Sequence, residues 1–243
     1  MLRCFTHSFP GSCAHEFSRG LFAAVPVMIG FVPFGLLLGT QAAQKGFSVS
    51  ELMLMTGLNF GGGSEFAAMS LWTSPPHVLT IVLVSLLVNS RHLLMGASLA
   101  PYLAHLPRRR ALLALFFMCD ESWAMGLADA AKRRQQGLSG FSMGFYAGVA
   151  SSLWLAWVIS TGAGVIVGPI LGDVTTWGFD MAFPAVFLVL LKGMWRGLLP
   201  ALPWLVSLVC AATTYHVAPG AAYVPVGAAA GILTILLMNG KTS

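Results

Sequence analysis

The chain has 243 residues, of which 57% are hydrophobic and only 9% are charged, and its mean hydropathy is +0.80. An ordinary globular chain carries about 25% charged residues. So few charges cannot cover a water-facing surface, which excludes a cytosolic enzyme, a nucleic-acid-binding domain and a disordered protein. The net charge of +5 then belongs to loops facing anionic lipid rather than to a nucleic-acid footprint.

Taken in chain order, residues 1–20 read as a flexible cytoplasmic N-terminal tail. They lack the early apolar core of a secretory signal, and Cys4, His7, Cys13 and His15 match no zinc spacing. Residues 21–243 read as a single transmembrane transporter domain, all-α and polytopic. A helix needs about 20 apolar residues to cross a bilayer, and eight segments approach that length. They run from Leu21 to Thr40, Glu51 to Trp72, Val78 to Ala100, Ala111 to Ala130, Phe141 to Val167, Trp177 to Leu191, Leu198 to Val217, and Ala221 to Met238. Pro26 and Pro33 in the first and Pro184 in the sixth each delete a backbone hydrogen bond, so they either break their helices near the midplane or merely kink them. Eight Gly-x-x-x-Gly pairs, among them Gly35–Gly39, Gly164–Gly168 and Gly227–Gly231, point to close helix packing.

Orientation follows from Lys and Arg. With eight crossings and the N-terminus inside, eight basic residues lie inside, while Lys45 and the cluster Arg108, Arg109 and Arg110 lie outside. That cluster is on the wrong side. If segments two and four instead dip in and return, eleven lie inside against Lys45 alone. Segment length favours eight crossings; acidic residues at mid-depth in both segments suit re-entrant backbone lining a cavity. The number of crossings is even in both cases, so both termini are expected on the cytoplasmic side.

Charge at bilayer depth is the sharpest functional signal, since a central Asp, Lys or Arg costs roughly 2.5–3.5 kcal/mol on the translocon scale. Segment two carries Asn59, Phe60, Gly61, Gly62, Gly63, Ser64 and Glu65. Each glycine disfavours helix by about 1 kcal/mol relative to Ala, so Gly61–Gly63 is expected to unwind, present bare amides and carbonyls, and place Glu65 as acceptor or proton carrier. Segment three carries Asn89, Ser90, Arg91 and His92. Arg91 is too deep to snorkel and requires a carboxylate partner, for which segment four offers Asp120 and Glu121 without deciding between them. His92 titrates near neutrality when unperturbed, which admits proton coupling as well as a satisfied core histidine. Trp154 and Trp157 read as packing or lipid-facing residues before pocket walls. Cys119 and Cys210 read as small buried hydrophobes, Lys192 and Arg196 as interfacial anchors, and Asp173 and Asp180 as solvated loop residues.

Gly240-Lys241-Thr242 imitates the end of a phosphate-binding loop, but Ile235 occupies its first glycine position, so no nucleotide hydrolysis is expected. No metal or cofactor is implied. Glu65, Asp120 and Glu121 against Arg91 suit a zwitterion or cation with an apolar side chain, and broken segments converging near the midplane suit a secondary transporter. A passive channel and a non-transporting membrane scaffold are the rival readings.

Several stretches together resemble the large subunit of AzlC-type branched-chain amino acid exporters, the LIV-E family. They are VPVMIGFVPFG from Val25, GGGSEFAA from Gly61, NSRHLLMGASL from Asn89 and DESWA from Asp120, in order over nearly the whole chain. Many members resemble A-G-x-x-Q-F where this chain has Glu65 before Phe66, and some carry Asp at the position of Asn89. The resemblance implies export of branched-chain amino acids, and of methionine among other apolar ones, across a bacterial inner membrane on an ion gradient. It also implies a small hydrophobic AzlD-type subunit, with a homodimer as the alternative.

Overall fold

The computed structural model describes residues 13–138, 140–171, 197–218 and 222–239, and all regular structure among them is helical. The predicted sixth segment, Trp177–Leu191, and residues Cys4, His7, Asp173, Asp180, Pro184, Lys192, Arg196 and Lys241 fall outside them. In chain order the helices are α1 (Cys13–Gln44), α2 (Val49–Asn59), α3 (Gly63–Leu71), α4 (Val78–Asn89), α5 (Arg91–Leu103), α6 (Arg108–Phe116), α7 (Asp120–Gln135), α8 (Met143–Leu171), α9 (Leu198–Val217) and α10 (Tyr223–Asn239). Among the described residues, four helical stretches are long and apolar enough to cross a bilayer: Ala14–Gln44, Val78–Leu103, Met143–Ile170 and Leu198–Val217. Their outer faces carry Leu79, Leu94 and Ile170, each more than 70% exposed. Apolar surface on that scale belongs against lipid.

Among the described residues, 13–70 and 88–171 make one compact unit, and 71–87, 197–218 and 222–239 a second. The first is built on α1 and α8. Gly20 meets Phe145, Gly35 meets Ser160 and Gly39 meets Gly164, so the residue numbers rise together and the two helices run parallel. Any Cβ on these three glycines would overlap the facing helix, which is why small residues recur along the seam. α1 begins eight residues before the predicted Leu21, so residues 13–20 are helical, and it passes unbroken through Pro26 and Pro33. Of the two readings open for those prolines, a break is absent, because packing along α8 outweighs two missing backbone bonds.

Segment two does break. A capping box of Ser48 and Glu51 starts α2, and Phe60 ends it in the left-handed region with φ 44°. Gly62 follows at φ 56°, and α3 starts at Gly63. The unwound stretch is therefore Phe60–Gly62, one residue earlier than expected from the glycines: the left-handed turn that closes α2 falls on Phe60, and Gly63 already opens the next helix. Segment four breaks as well, with α6 and α7 bent by 119°. Met95, Leu99 and Leu103 of α5 form a core with Ala114, Met118, Tyr146 and Ala150, and Tyr146 donates to the Ala114 carbonyl at 2.8 Å. Arg134 near the end of α7 reaches back to α5, donating to the Tyr102 hydroxyl at 3.0 Å. Thus α6–α7 leaves from the C-terminal end of α5 and comes back to it.

In the second unit α9 and α10 form an antiparallel pair, with Gly227 against Ala211 and Gly231 against Ser207.

Candidate functional site

The break in segment two is closed by side chains from three other places in the first unit. Glu65, in the first turn of α3, is 1% exposed. Its Oε1 accepts from the Gly61 backbone at 3.2 Å and from Asn59 Nδ2 at 3.3 Å, and its Oε2 accepts from Trp157 Nε1 at 2.7 Å. Trp157 lies fourteen residues from either end of α8, so the carboxylate sits level with the middle of that helix. Asn59 Nδ2 also donates to Ser64 Oγ at 2.8 Å, while Asn59 Oδ1 accepts from Asn89 Nδ2 at 2.9 Å. Gly61 is enclosed on its Cα side by Ser64, Asn89 and Asn59, and a Cβ there would overlap them; Gly63 has space near Val88.

Arg91, the first residue of α5, ties the two broken segments together. Its Nη2 donates to the Gly61 carbonyl at 2.9 Å, and its Nη1 pairs with Asp120 Oδ2 at 3.1 Å. Asp120 is the first residue of α7, so one guanidinium bridges both breaks. The choice left open between the acids is resolved in favour of Asp120. Glu121 stays within electrostatic reach of Arg91 and Asp120 and close to the buried Cys119 thiol. His92 Nδ1 lies 3.2 Å from the Asn89 carbonyl, and its ring also meets the Met118 backbone. An exposed pair in water is worth 0–1 kcal/mol. Both side chains keep about a third of their surface exposed within the protein, and against lipid an Arg without a partner is penalised by roughly 2.5–3.5 kcal/mol.

Asn59, Gly61, Ser64, Glu65, Asn89, Arg91 and Asp120 are therefore connected directly, with His92 and Glu121 alongside and Gly62 and Gly63 shaping the turn. Trp157, read from sequence as packing, belongs to this set through its indole N–H; only the need of a buried indole for an acceptor hinted at it. Trp154 donates to the Gly57 carbonyl at 2.9 Å and pins α2 to α8.

A second polar cluster escaped the sequence reading. Arg19 of α1 pairs with Asp129 of α7 at 2.6 Å and with Glu16 at 2.8 Å. Arg133 and Ser142 also donate to Glu16, at 3.1 and 2.7 Å, and Arg19 stacks 4.3 Å over the Phe145 ring. In the sequence Arg19 is one of the eight basic residues counted inside, and Asp129 carries no signal of a role. The cluster joins the N-terminal ends of α1 and α8 to the C-terminal end of α7, which again brings α7 back to its starting side.

Broken backbone, a buried carboxylate and a bridging guanidinium thus lie in one place within an apolar protein. Comparison with known proteins agrees with that character. A family model described as AzlC protein matches residues 26–171. The chain is 30% identical over 184 residues to an uncharacterized membrane protein of Archaeoglobus fulgidus, covering 74% of this chain and 77% of that one. It is 25% identical to the inner membrane protein YgaZ of Escherichia coli, over 73% of this chain and 67% of the relative. To the branched-chain amino acid transport protein AzlC of Bacillus subtilis it is 27% identical, over 70% of this chain and 65% of the relative. No solved structure matches. The long apolar helices make the protein a multi-pass membrane protein, and the match over residues 26–171, more than half of the chain, settles the family: the chain belongs to the AzlC family of membrane transport proteins.

Proposed function

We propose that the protein is a secondary exporter of branched-chain amino acids, and of methionine among other apolar ones, in the cytoplasmic membrane. It works as the large subunit beside a small hydrophobic AzlD-type partner. The observation that carries this is the Arg91 bridge: one cation holds two helix breaks level with the middle of α8, where a transporter keeps its substrate. The name of the Bacillus subtilis relative supports the substrate class. Asn59, Gly61, Gly62, Gly63, Ser64, Glu65, Asn89, Arg91, His92, Asp120 and Glu121 are the binding and coupling residues.

The topology proposed is six crossings with two re-entrant segments and both termini cytoplasmic. Parallel packing of α1 and α8 supports this by parity. An odd number of crossings must separate two parallel helices, and the 26-residue stretch Val78–Leu103 supplies one. Segments two and four must then both cross or both return. The 119° bend of α6–α7 and the contact of Arg134 with Tyr102 favour return, so α2–α3 returns as well. Eleven residues of α2 span about 17 Å, roughly half of a 30 Å hydrocarbon core, which suits a half-helix ending at mid-depth.

The test is efflux from cells that lack their own exporters, loaded with valine-, leucine- or methionine-containing dipeptides. With this chain and its small partner present, efflux of the freed amino acid is expected to accelerate. Unchanged efflux, with both proteins in the membrane, would contradict amino acid export.

A further inference from the structure

Among the described residues, two buried side-chain atoms lack any hydrogen-bond partner: Asn89 Oδ1 and Arg91 Nε. One is an acceptor and the other a donor. They belong to residues on either side of Ser90, where α4 passes into α5, and both border the Gly61 break. Arg91 Nη2 holds the Gly61 carbonyl, and a Cβ on Gly61 would stand 2.6 Å from Asn89 Oδ1.

The acceptor character of Asn89 Oδ1 is imposed by its neighbours. Both oxygens of Glu65 accept hydrogen bonds, so Asn59 turns its Nδ2 toward them. Asn59 Oδ1 is left to accept from Asn89 Nδ2, which leaves Asn89 Oδ1 free. An orphaned buried polar atom is destabilising, and native structures hold few of them without an occupant such as water, an ion or a ligand. Two such atoms of opposite character on neighbouring residues call for an occupant that donates at one point and accepts at another.

Building on the amino acid export proposed above, we infer that Asn89 and Arg91 form the seat for the zwitterionic head group of the substrate. The carboxylate accepts from Arg91 Nε, and the ammonium donates to Asn89 Oδ1. Glu65, hydrogen-bonded to the Gly61 amide on the same break, adds negative potential for the ammonium. Asp120 holds the far side of the guanidinium, so the cation is oriented before substrate arrives. The seat reads the head group common to all α-amino acids and leaves choice of side chain to the apolar surroundings.

The test uses uptake of radiolabelled valine into inside-out membrane vesicles carrying the full chain with its small partner. The competitors are isobutylamine, which lacks the carboxylate, and isovalerate, which lacks the ammonium and carries no donor in its place. Each is expected to compete roughly tenfold or more worse than unlabelled valine, because each leaves one seat atom unpaired. Asn89→Leu should raise the KM for valine about tenfold and remove the disadvantage of isovalerate, whereas Asn89→Asp, which keeps an acceptor, should retain that disadvantage. Arg91→Lys preserves the charge facing Asp120 but has no Nε, and should cost valine affinity while relieving the disadvantage of isobutylamine. If either competitor matches valine on the unaltered protein, or Asn89→Leu at equal abundance keeps both its KM and its discrimination, the seat is wrong although export stands. If the unaltered protein moves no amino acid, the export reading fails and the seat with it.

Discussion

Glu65 shows how a buried carboxylate is tolerated among apolar helices: three donors reach its two oxygens, from the Gly61 amide, the Asn59 amide and the Trp157 indole. A glutamine there has one acceptor oxygen and a donor group in place of the other, so Glu65→Gln turns an N–H toward either Trp157 or the Gly61–Asn59 pair. Trp157→Phe removes the indole donor from the other side. If the 2.7 Å bond is made, the two substitutions share one interaction, and a double-mutant cycle on unfolding in detergent should return a coupling of about 0.5 kcal/mol or more. Strict additivity would contradict the bond. Transport by Glu65→Gln should also change its pH profile or substrate range at unchanged membrane abundance; the same solutes with the same profile would make the carboxylate incidental. At this scale the charged residues were legible in sequence, because Glu65, Arg91 and Asp120 each interrupt an apolar run. Their pairing was not, since Asp120 and Glu121 are adjacent and only the start of α7 turns the first of them toward Arg91. Trp157 was equally hidden, for an indole in an apolar helix looks the same whether its N–H meets a carboxylate or the membrane interface.

Glycine has opposite consequences along α1. A Cβ at Gly39 would overlap Thr161 and Gly164 of α8, whereas one at Gly30 would meet nothing within 4 Å. Gly39→Ala should therefore destabilise by about 1–3 kcal/mol, as overpacking does. Gly30→Ala should be neutral or stabilise by up to about 1 kcal/mol through helix propensity. Denaturant titration in detergent separates them, and equal behaviour of the two variants would refute the α1–α8 seam. Spacing in the sequence was enough to foresee such a seam, because Gly-x-x-x-Gly places small residues on one helix face. Spacing could not say which elements break. The prolines of α1 were candidates and the helix stays whole, while segment four, for which crossing and return were both open, bends by 119°. The difference lies in tertiary support, from a full-length partner helix in one case and from a turn back onto α5 in the other.

Across the whole molecule, the number and length of apolar runs identified an all-helical membrane protein, and charge asymmetry already exposed the misplaced Arg108–Arg110 cluster. What sequence left undecided was whether segments two and four cross, because a stretch of 20 apolar residues has the same composition in a straight span and in a re-entrant loop. Everything proposed for the site requires both segments to reach mid-depth and turn back, so that their breaks meet at Arg91. The most direct measurement is labelling of single cysteines by a membrane-impermeant maleimide in intact cells, in a cysteine-free background. The positions are Lys45, Arg109 and Gln135, lying in the α1–α2 connection, early in α6 and at the end of α7. Labelling from outside at position 45 alone, with 109 and 135 labelled only after the membrane is opened, is the result expected. Labelling of position 109 from outside with 135 protected would mean that α6–α7 crosses, and would contradict the meeting of two re-entrant segments on which the transport site depends.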